Sequence, residues 1–400
     1  MRVSKRRPPA RSAKRKQRDD DAAPRDGARS LLDALAGKRL VVLVGEGGVG
    51  KTSMSAAIAW ARATAGERVA VLTVDPAPRL GDALGVPAFD AEPSTVALPS
   101  AGGSLVAMRL DVKHTFDRMV LRHAPSPAAA QALLDHPIYR AIAGQLGGTD
   151  SYMALQRLHE ITDEARHDCL VLDTPPAANA RELLAAPERL AGLLDTGALS
   201  ILAEPARIVA RAGGTVARAT FSLLLAAVER VTGTSLQRDV GDFVRLFEGL
   251  VGGLEGRARD IDALLRAPQT AFVLVTRPRI ADIETALHLR RDLEDAGIGL
   301  AAIVVNRATP ARQDASPRPR AGRAKRHSPL PPRLAAAARQ MESEVAALRD
   351  ADAAAIAALR DQCRLPGNPC VFVIPASESD VVSIAGVAML AARLGAPSAQ

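Results

Sequence analysis

The segment that most constrains the fold is the glycine-rich stretch at residues 45–52, which reads GEGGVGKT. It follows an apolar run at residues 40–44 and precedes a helix-like stretch at residues 53–65 that ends at Gly66. A strand, a glycine-rich loop and a helix in this order are typical of a phosphate-binding loop. The sequence therefore predicts a sheet and helices built around such a loop.

The residue types in this loop match the needs of a nucleoside triphosphate bound with Mg²⁺. Glycines let bare backbone N–H groups approach phosphate oxygens, and the next helix directs its positive end at the anion. We expect the Lys51 side chain to reach the β and γ phosphates and the Thr52 hydroxyl to ligate Mg²⁺. The predicted nucleotide-binding residues of the loop are Gly45, Gly47, Gly48, Val49, Gly50, Lys51 and Thr52.

Apolar runs recur along the chain between patterns of helical period. Continuous apolar strands that alternate with amphipathic helices indicate a mostly parallel sheet covered by helices on both faces, which is an α/β fold. The predicted strands cover residues 40–44, 69–74, 105–110, 170–172, 272–275, 302–305 and 371–374.

Polar residues follow several of these strands, where parallel sheets bind their ligands. Asp173 is placed to orient Mg²⁺, and Asp75 to orient or deprotonate an attacking water molecule. Asn306 offers donors and an acceptor suited to the edge of adenine. An Asp or Asn after a strand is also a common helix cap, and this alternative stays open for each residue taken singly.

Two long stretches, about 112–168 and 189–268, have helical periodicity throughout and are predicted to form a helical subdomain beside the sheet. The second contains an apolar run at residues 221–228 that is too short to span a bilayer and is more typical of a core helix than of a binding groove. Residues 334–362 predict one or two surface helices. Together with the strands, these helices make residues 28–400 one domain.

The formal net charge of +8 is concentrated in two segments that are poor in apolar residues. Residues 1–27 carry ten Lys or Arg against four Asp, and residues 307–333 carry eight against one. They predict a disordered basic arm at 1–27 and a disordered basic loop at about 308–333. The arm is either a solvated tail or a tether to nucleic acid or anionic lipid. With aromatic residues at 2%, binding of single-stranded nucleic acid is not expected.

The three cysteines, Cys169, Cys363 and Cys370, predict neither disulfides nor a structural zinc site. The basic N-terminus lacks the apolar stretch of a secretory signal, and no window resembles a membrane span. We therefore expect a cytoplasmic protein that is at most peripheral at a membrane.

Several segments together resemble the arsenite-pump ATPase family, which includes the guided-entry factors that carry tail-anchored membrane proteins. They are GEGGVGKT, DPAPRLGDAL, LDTPPAANARELLAAP, FVLVTRP and VVNR, and the resemblance runs from about residue 31 to residue 395 apart from the basic loop. It implies a dimer that uses ATP and Mg²⁺, with two phosphate-binding loops facing across an interface. It assigns water activation to Asp75, the magnesium side to Asp173, phosphate binding to Lys51 and Thr52, and adenine contact to Asn306.

The chain departs from that family at the second residue of the loop, where Glu46 stands in place of the family's signature lysine. Because a carboxylate repels a triphosphate, we expect Glu46 to turn away and the contact across the dimer to be missing. The histidine of the second switch is replaced in the region of Ala177, Ala178 and Asn179. No cysteine set matches the arsenite site or the zinc site, so neither is expected.

The function predicted on these grounds is a Mg²⁺-dependent ATPase that acts as a switch on a protein or membrane partner. It would be one half of a homodimer, or of a heterodimer with a paralogous ATPase. Two alternatives remain open. One is a weakly catalytic scaffold completed by a lysine-bearing paralogue, and the other is a partition or positioning ATPase tethered by its basic arm.

Overall fold

The computed structural model describes residues 30–87, 89–99, 102–142, 150–174, 242–243, 246, 254–310, 331–363, 370–377 and 380–396. The predicted arm at 1–27 and most of the predicted loop at 308–333 lie outside these residues. So do most of the helical stretch at 189–268 and the second-switch region around Ala177. Among the described residues, no helix is both long enough and apolar enough to cross a membrane.

The described strands form one sheet in the order β3-β4-β2-β5-β1-β6-β7-β8. All neighbours run parallel except β3, which is antiparallel to β4. The mostly parallel α/β fold is thereby confirmed. The strands are β1 (Leu40–Val44), β2 (Arg68–Thr73), β3 (Ser94–Val96), β4 (Ser104–Arg109), β5 (Cys169–Asp173), β6 (Thr270–Thr276), β7 (Leu300–Ala308) and β8 (Cys370–Pro375).

Each strand predicted from an apolar run is present, and the short strand β3 is an addition. Of its three residues only Val96 is buried, so β3 leaves no apolar run in the sequence. It is an edge strand of the described sheet and pairs antiparallel with β4.

The described helices connect these strands and cover both faces of the sheet. They are α1 (Leu31–Ala34), α2 (Lys51–Thr64), α3 (Arg79–Ala83), α4 (Val112–His123), α5 (Pro127–Asp135), α6 (Pro137–Ile142), α7 (Asp150–Asp163), α8 (Leu254–Arg266), α9 (Ile280–Asp295), α10 (Pro332–Gln362) and α11 (Ile384–Gly395).

The first predicted helical stretch is divided into four helices, α4 to α7. Proline starts two of them: Pro127 occupies the first position of α5 behind the N-cap Ser126, and Pro137 begins α6. Proline is favoured at a first helical position because it lacks an N–H, and it disfavours helical geometry in the residue before it. The stretch at 334–362, in contrast, is one continuous helix, α10.

The sheet separates two apolar cores, because successive side chains of a strand point to opposite faces. On β1, Val41 and Leu43 face the core that contains α1, α2, α3 and α11, whereas Leu40, Val42 and Val44 face the other core. That second core contains the helices α4 to α10. Both faces of β1 are therefore buried, which explains its uninterrupted apolar sequence.

Strand β1 lies inside the sheet, with β5 on one side and β6 on the other. The glycine-rich loop leaves its carboxyl end and leads into α2. Since the neighbouring strands are parallel to β1, their carboxyl ends lie at the same edge of the sheet. The residues after β2, β5 and β7 are thus brought to the loop from separate parts of the chain.

Candidate nucleotide-binding site

Two glycines of the loop occupy places where a side chain would not fit. Gly45 has φ +147° and Gly50 has φ +98°. A Cβ on Gly45 would overlap the carbonyl oxygen of Val275 at the end of β6, and one on Gly50 would overlap the Asn306 amide. Gly48 also has positive φ, +75°, but a Cβ there would meet open space. The loop is thus a close backbone cradle fitted between β6 and β7, as phosphate binding requires.

The Lys51 ammonium is buried and curled over the loop. It donates hydrogen bonds to the carbonyl oxygens of Gly45 at 2.7 Å and Glu46 at 2.8 Å. Burial lowers the pKa of Lys51, and the negative charges of Asp173, Asp75 and Glu46 oppose that shift. A desolvated cation gains stability from an anion beside it, so this side chain suits a phosphate at the loop.

Helix α2 starts at Lys51 without a side-chain cap. Its N-cap is Gly50, which has no side chain to accept a hydrogen bond from the first turn. The N–H groups that begin a helix have no intrahelical partner, and the helix dipole makes this end positive. Combined with the cradle and Lys51, the uncapped end of α2 completes a set of donors suited to a polyphosphate.

Asp173, the last residue of β5, is 1% exposed and accepts hydroxyl hydrogen bonds from three residues. Thr52 and Thr73 each donate to its Oδ2 at 2.8 Å, and Ser55 donates to Oδ1 at 3.4 Å. Burial raises the pKa of Asp173 to about 6, although the hydrogen bonds from Thr52 and Thr73 and the charge of Lys51 oppose the rise. A buried carboxylate beside the Thr52 hydroxyl is a donor set that suits Mg²⁺.

Asp75 lies two residues beyond β2, and its carboxylate is 15% exposed. Oδ1 accepts from the Ala77 N–H at 2.9 Å, and Oδ2 accepts from the Arg79 guanidinium at 3.2 Å. The Asp75 N–H donates to the Thr73 hydroxyl at 3.2 Å. The segment after β2 therefore holds this carboxylate, and Thr73 connects its backbone to Asp173.

Asn306 in β7 uses both polar atoms of its side chain within the protein. Its Nδ2 donates to the carbonyl oxygen of Val49 at 2.8 Å, and its Oδ1 accepts from the Arg307 N–H at 3.0 Å. The structure thus places Asn306 against the phosphate-binding loop, where it secures Val49. Contact with adenine stays a prediction.

Thr73 and Ser55 were not predicted from the sequence, although both contact Asp173. Thr73 resembles any β-branched strand residue, and only its pairing with Asp173 on the neighbouring strand β5 reveals the contact. Ser55 follows Thr52 by one helical turn, which is the signal that could have found it.

Asp111 lies between β4 and α4 and serves as a helix cap. Its carboxylate accepts a hydrogen bond from the His114 N–H at 2.8 Å at the start of α4.

Lys51, Thr52, Asp173 and Asn306 therefore meet at the loop, with Asp75 attached through Thr73. Glu46 is half-buried in the same loop. The arrangement can bind a polyphosphate through backbone and ammonium donors and can present hydroxyl and carboxylate oxygens to a divalent cation. It also holds a second carboxylate, Asp75, at the rim of the site.

The sequence of this chain matches one protein family and several individual proteins. The profile of the anion-transporting ATPase family, ArsA_ATPase, matches residues 38–237. An uncharacterized protein of Streptomyces coelicolor is 35% identical over 175 residues, which are 44% of this chain and 42% of that protein. Two proteins named as ATPase ASNA1 homologues also match. The one from Babesia bovis is 27% identical over 268 residues, 66% of this chain and 65% of that protein. The one from Paramecium tetraurelia is 29% identical over 147 residues, which are 36% of this chain and 42% of that protein.

The chain thus spans less than two thirds of the length of these relatives. The profile match covers half of the 400 residues and includes the loop, Asp75 and Asp173. The chain therefore belongs to the anion-transporting ATPase family.

Proposed function

We propose that this protein binds ATP with Mg²⁺ at the loop between β1 and α2 and hydrolyses it to ADP and phosphate. One observation carries the proposal: Asp173 accepts hydrogen bonds from Thr52 and Thr73, and Thr73 accepts one from the Asp75 N–H. These hydrogen bonds join α2, the helix that follows the phosphate loop, to Asp173 at the end of β5 and to Asp75 after β2. Membership in an ATPase family supports it further.

Each residue has a role in this reaction. Lys51 exchanges its bonds to the loop carbonyls for bonds to β and γ phosphate oxygens. Thr52 and Asp173 would hold Mg²⁺, which would neutralise phosphate charge. Asp75 accepts a proton from the attacking water molecule. The oxygen of that water bonds to the γ phosphorus, and the bond between the γ phosphorus and the β–γ bridging oxygen breaks. Each oxygen of Asp75 accepts one hydrogen bond, from Ala77 or from Arg79, and so keeps a lone pair that can take this proton.

The same site suits a conformational switch. Asp75 and Asp173 both stand where a strand ends at the site, so we propose that contacts to the γ phosphate hold the chain after each of them in one arrangement and that loss of this phosphate releases it. By its resemblance to the guided-entry factors, we propose that the switch acts on a protein or membrane partner. We further propose that the chain works as one half of a homodimer or of a heterodimer with a paralogue.

Two substitutions test binding and hydrolysis separately. Lys51→Ala should abolish ATP binding, measured by titration calorimetry, because it removes the buried cation. Asp75→Asn should bind ATP with little change and lose phosphate release, because the amide cannot accept the proton. Lys113→Ala, at an exposed lysine of α4, is the control for loss of charge. Full affinity in Lys51→Ala, or full turnover in Asp75→Asn, would refute the respective assignment.

A second candidate function is favoured by Glu46, an acidic residue placed in the loop itself. The chain would then bind nucleotide with little turnover and depend on a lysine-bearing paralogue. Glu46→Lys should raise the turnover of the chain alone, whereas Glu46→Gln, which only removes the charge, should raise it less. Equal turnover in wild type and both variants would remove Glu46 from the account.

A further inference from the structure

Arg307 has a backbone conformation that its residue type disfavours. Its φ is +60°, in the left-handed region that favours glycine. Among the described residues, Ala165 is the other non-glycine residue with positive φ, and it lies just past the end of α7, where helices commonly adopt this conformation. Arg307 lies within β7 instead, so no helix end explains its left-handed backbone.

Arg307 is the extra residue of a β-bulge between β7 and β8. Asn306 and Ala308 pair with consecutive residues of β8, so Arg307 is skipped in the register. The backbone pairing continues beyond the bulge, because the Ala376 N–H donates to the Ala308 carbonyl at 2.8 Å. The Arg307 N–H is held by Asn306 Oδ1 at 3.0 Å. The surrounding structure therefore fixes the bulge and its strained residue in place.

The bulge keeps the Arg307 side chain out of the apolar core. On β7, Val305 faces the core that contains α4 to α10, so regular alternation would direct residue 307 into the same core. Arg307 is exposed instead, and Ala308 is buried. An apolar residue would suit a regular strand here, and glycine would suit the bulge without strain. Because arginine suits neither, its presence indicates a function for the side chain.

The strand order determines which end of a bound nucleotide lies towards Arg307. In the proposed reaction the γ phosphate lies beside Asp173 on β5 and Asp75 after β2, and both strands are on one side of β1. Strand β7 is on the other side of β1, where Asn306 donates to the Val49 carbonyl of the phosphate-binding loop. A triphosphate with its γ end towards β5 therefore directs its nucleoside towards β6 and β7.

Asn306 has no free polar atom with which to bind the edge of a base. Its Nδ2 donates to Val49, and its Oδ1 accepts from the Arg307 N–H. In the described part of the chain, in contrast, no residue forms an ion pair or hydrogen bond with the Arg307 guanidinium. A guanidinium is planar and weakly hydrated, so it stacks readily on aromatic rings. Arg307 thus offers a free planar group at the nucleoside end of the site.

We propose that Arg307 binds the base of the nucleotide, with its guanidinium stacked on the face of the purine ring. This inference rests on the proposed function, because it requires a nucleotide at the phosphate-binding loop. Asn306 then acts as a positioning residue that holds the bulge and the loop, and Arg307 makes the contact with the base. Since a stack uses the face of the ring and not its edge, Arg307 contributes affinity for a nucleoside rather than selectivity among bases.

ADP and inorganic pyrophosphate, each with Mg²⁺, separate contact with the base from contact with phosphate, because only ADP carries a nucleoside. Titration calorimetry of the full chain should show that Arg307→Gly binds ADP about five- to tenfold more weakly than wild type and binds pyrophosphate equally well. Arg339→Ala, at an exposed arginine of α10, is the control for loss of charge and should change neither affinity. Equal weakening of both ligands would overturn the proposal, since Arg307 would then act on phosphate.

Two further measurements separate stacking from charge and from a structural role. Arg307→Lys keeps the charge but lacks the planar group, so it should weaken ADP binding as much as Arg307→Gly does. Wild-type affinity in Arg307→Lys would contradict the stack. Arg307→Gly should melt at a temperature no lower than wild type, because glycine adopts positive φ without strain. A clearly lower melting temperature would assign Arg307 to the structure of the bulge instead.

The same titrations distinguish failure of this inference from failure of the proposed function. A wild type that binds neither ADP nor pyrophosphate would refute the proposed function and this inference with it. If wild type and Arg307→Gly bind ADP equally well, only the role of Arg307 is refuted.

Discussion

Gly50 and Gly48 both adopt positive φ in the phosphate-binding loop, yet only one of them is crowded. At Gly48 a side chain would meet open space, whereas at Gly50 it would overlap the Asn306 amide that secures Val49. The two positions therefore separate two physical effects. One is the conformational preference of any residue with a Cβ, and the other is the close approach of β7 to the loop.

Gly48→Ala and Gly50→Ala form a matched pair that measures this difference. Gly48→Ala should lower the free energy of unfolding by about 1–2 kcal/mol, the usual penalty of a left-handed residue with a side chain. Gly50→Ala should lose about 1–3 kcal/mol more, because Asn306 must give up a buried hydrogen bond. Urea denaturation measures both values. Indistinguishable values would mean that Asn306 moves aside freely.

Cys169 gives a pH-dependent expectation. It is 0% exposed at the start of β5, and burial raises the pKa of its thiol to about 12. Because the thiolate is the nucleophile, Cys169 should not react with iodoacetamide up to pH 10 in the folded protein and should react after denaturation. Cys363 and Cys370, which are partly exposed, serve as internal controls. Mass spectrometry after alkylation of the native protein would detect a contrary result.

Helix α11 shows how a distant element supports the site. It packs against α2, the helix that begins with Lys51, and against α3 after Asp75, so the last described helix stabilises the first part of the chain. Leu394 is 0% exposed in the core shared with α2, whereas Met389 on the same helix is 54% exposed. One helix thus offers a buried and a solvated apolar residue for comparison.

Leu394→Ala should lower the free energy of unfolding by about 2–5 kcal/mol, the range for removing a buried leucine side chain. Met389→Ala should stay within about 0.5 kcal/mol of wild type. Thermal unfolding followed by circular dichroism gives both values. A large loss in Met389→Ala would reveal that a partner covers that face of α11.

The elements that the sequence predicts well are those whose physics is local. β1 and β5 are buried on both faces and read as continuous apolar runs, and the loop is specified by its own glycines and by Lys51. The contact of Thr73 with Asp173 could not be predicted, because it depends on β2 and β5 being neighbours in the sheet. The hydrogen bond from Asn306 to Val49 joins residues 257 positions apart and has the same origin.

The sheet brings Asp75 and Asp173 into one hydrogen-bond network, so ligand binding at this network should stabilise the whole molecule. A ligand that binds only the folded state at one hundred times its dissociation constant raises the free energy of unfolding by about 2.7 kcal/mol. ATP with Mg²⁺ should therefore raise the melting temperature of the wild type and leave that of Lys51→Ala unchanged. Scanning calorimetry at a matched nucleotide concentration makes the comparison, and equal shifts would point to a different binding site.

The position of β1 in the strand order has a further consequence. Among the described strands, four lie on one side of it and three on the other, so the glycine loop emerges from the middle of this sheet. Local opening of a sheet begins at its margins, where strands have one neighbour. Amide protons of β3 and β8 should thus exchange with solvent long before those of β1. Fraying of β3 or β8 alone would leave the phosphate cradle intact, whereas separation of β7 would release it, because Asn306 on that strand secures Val49.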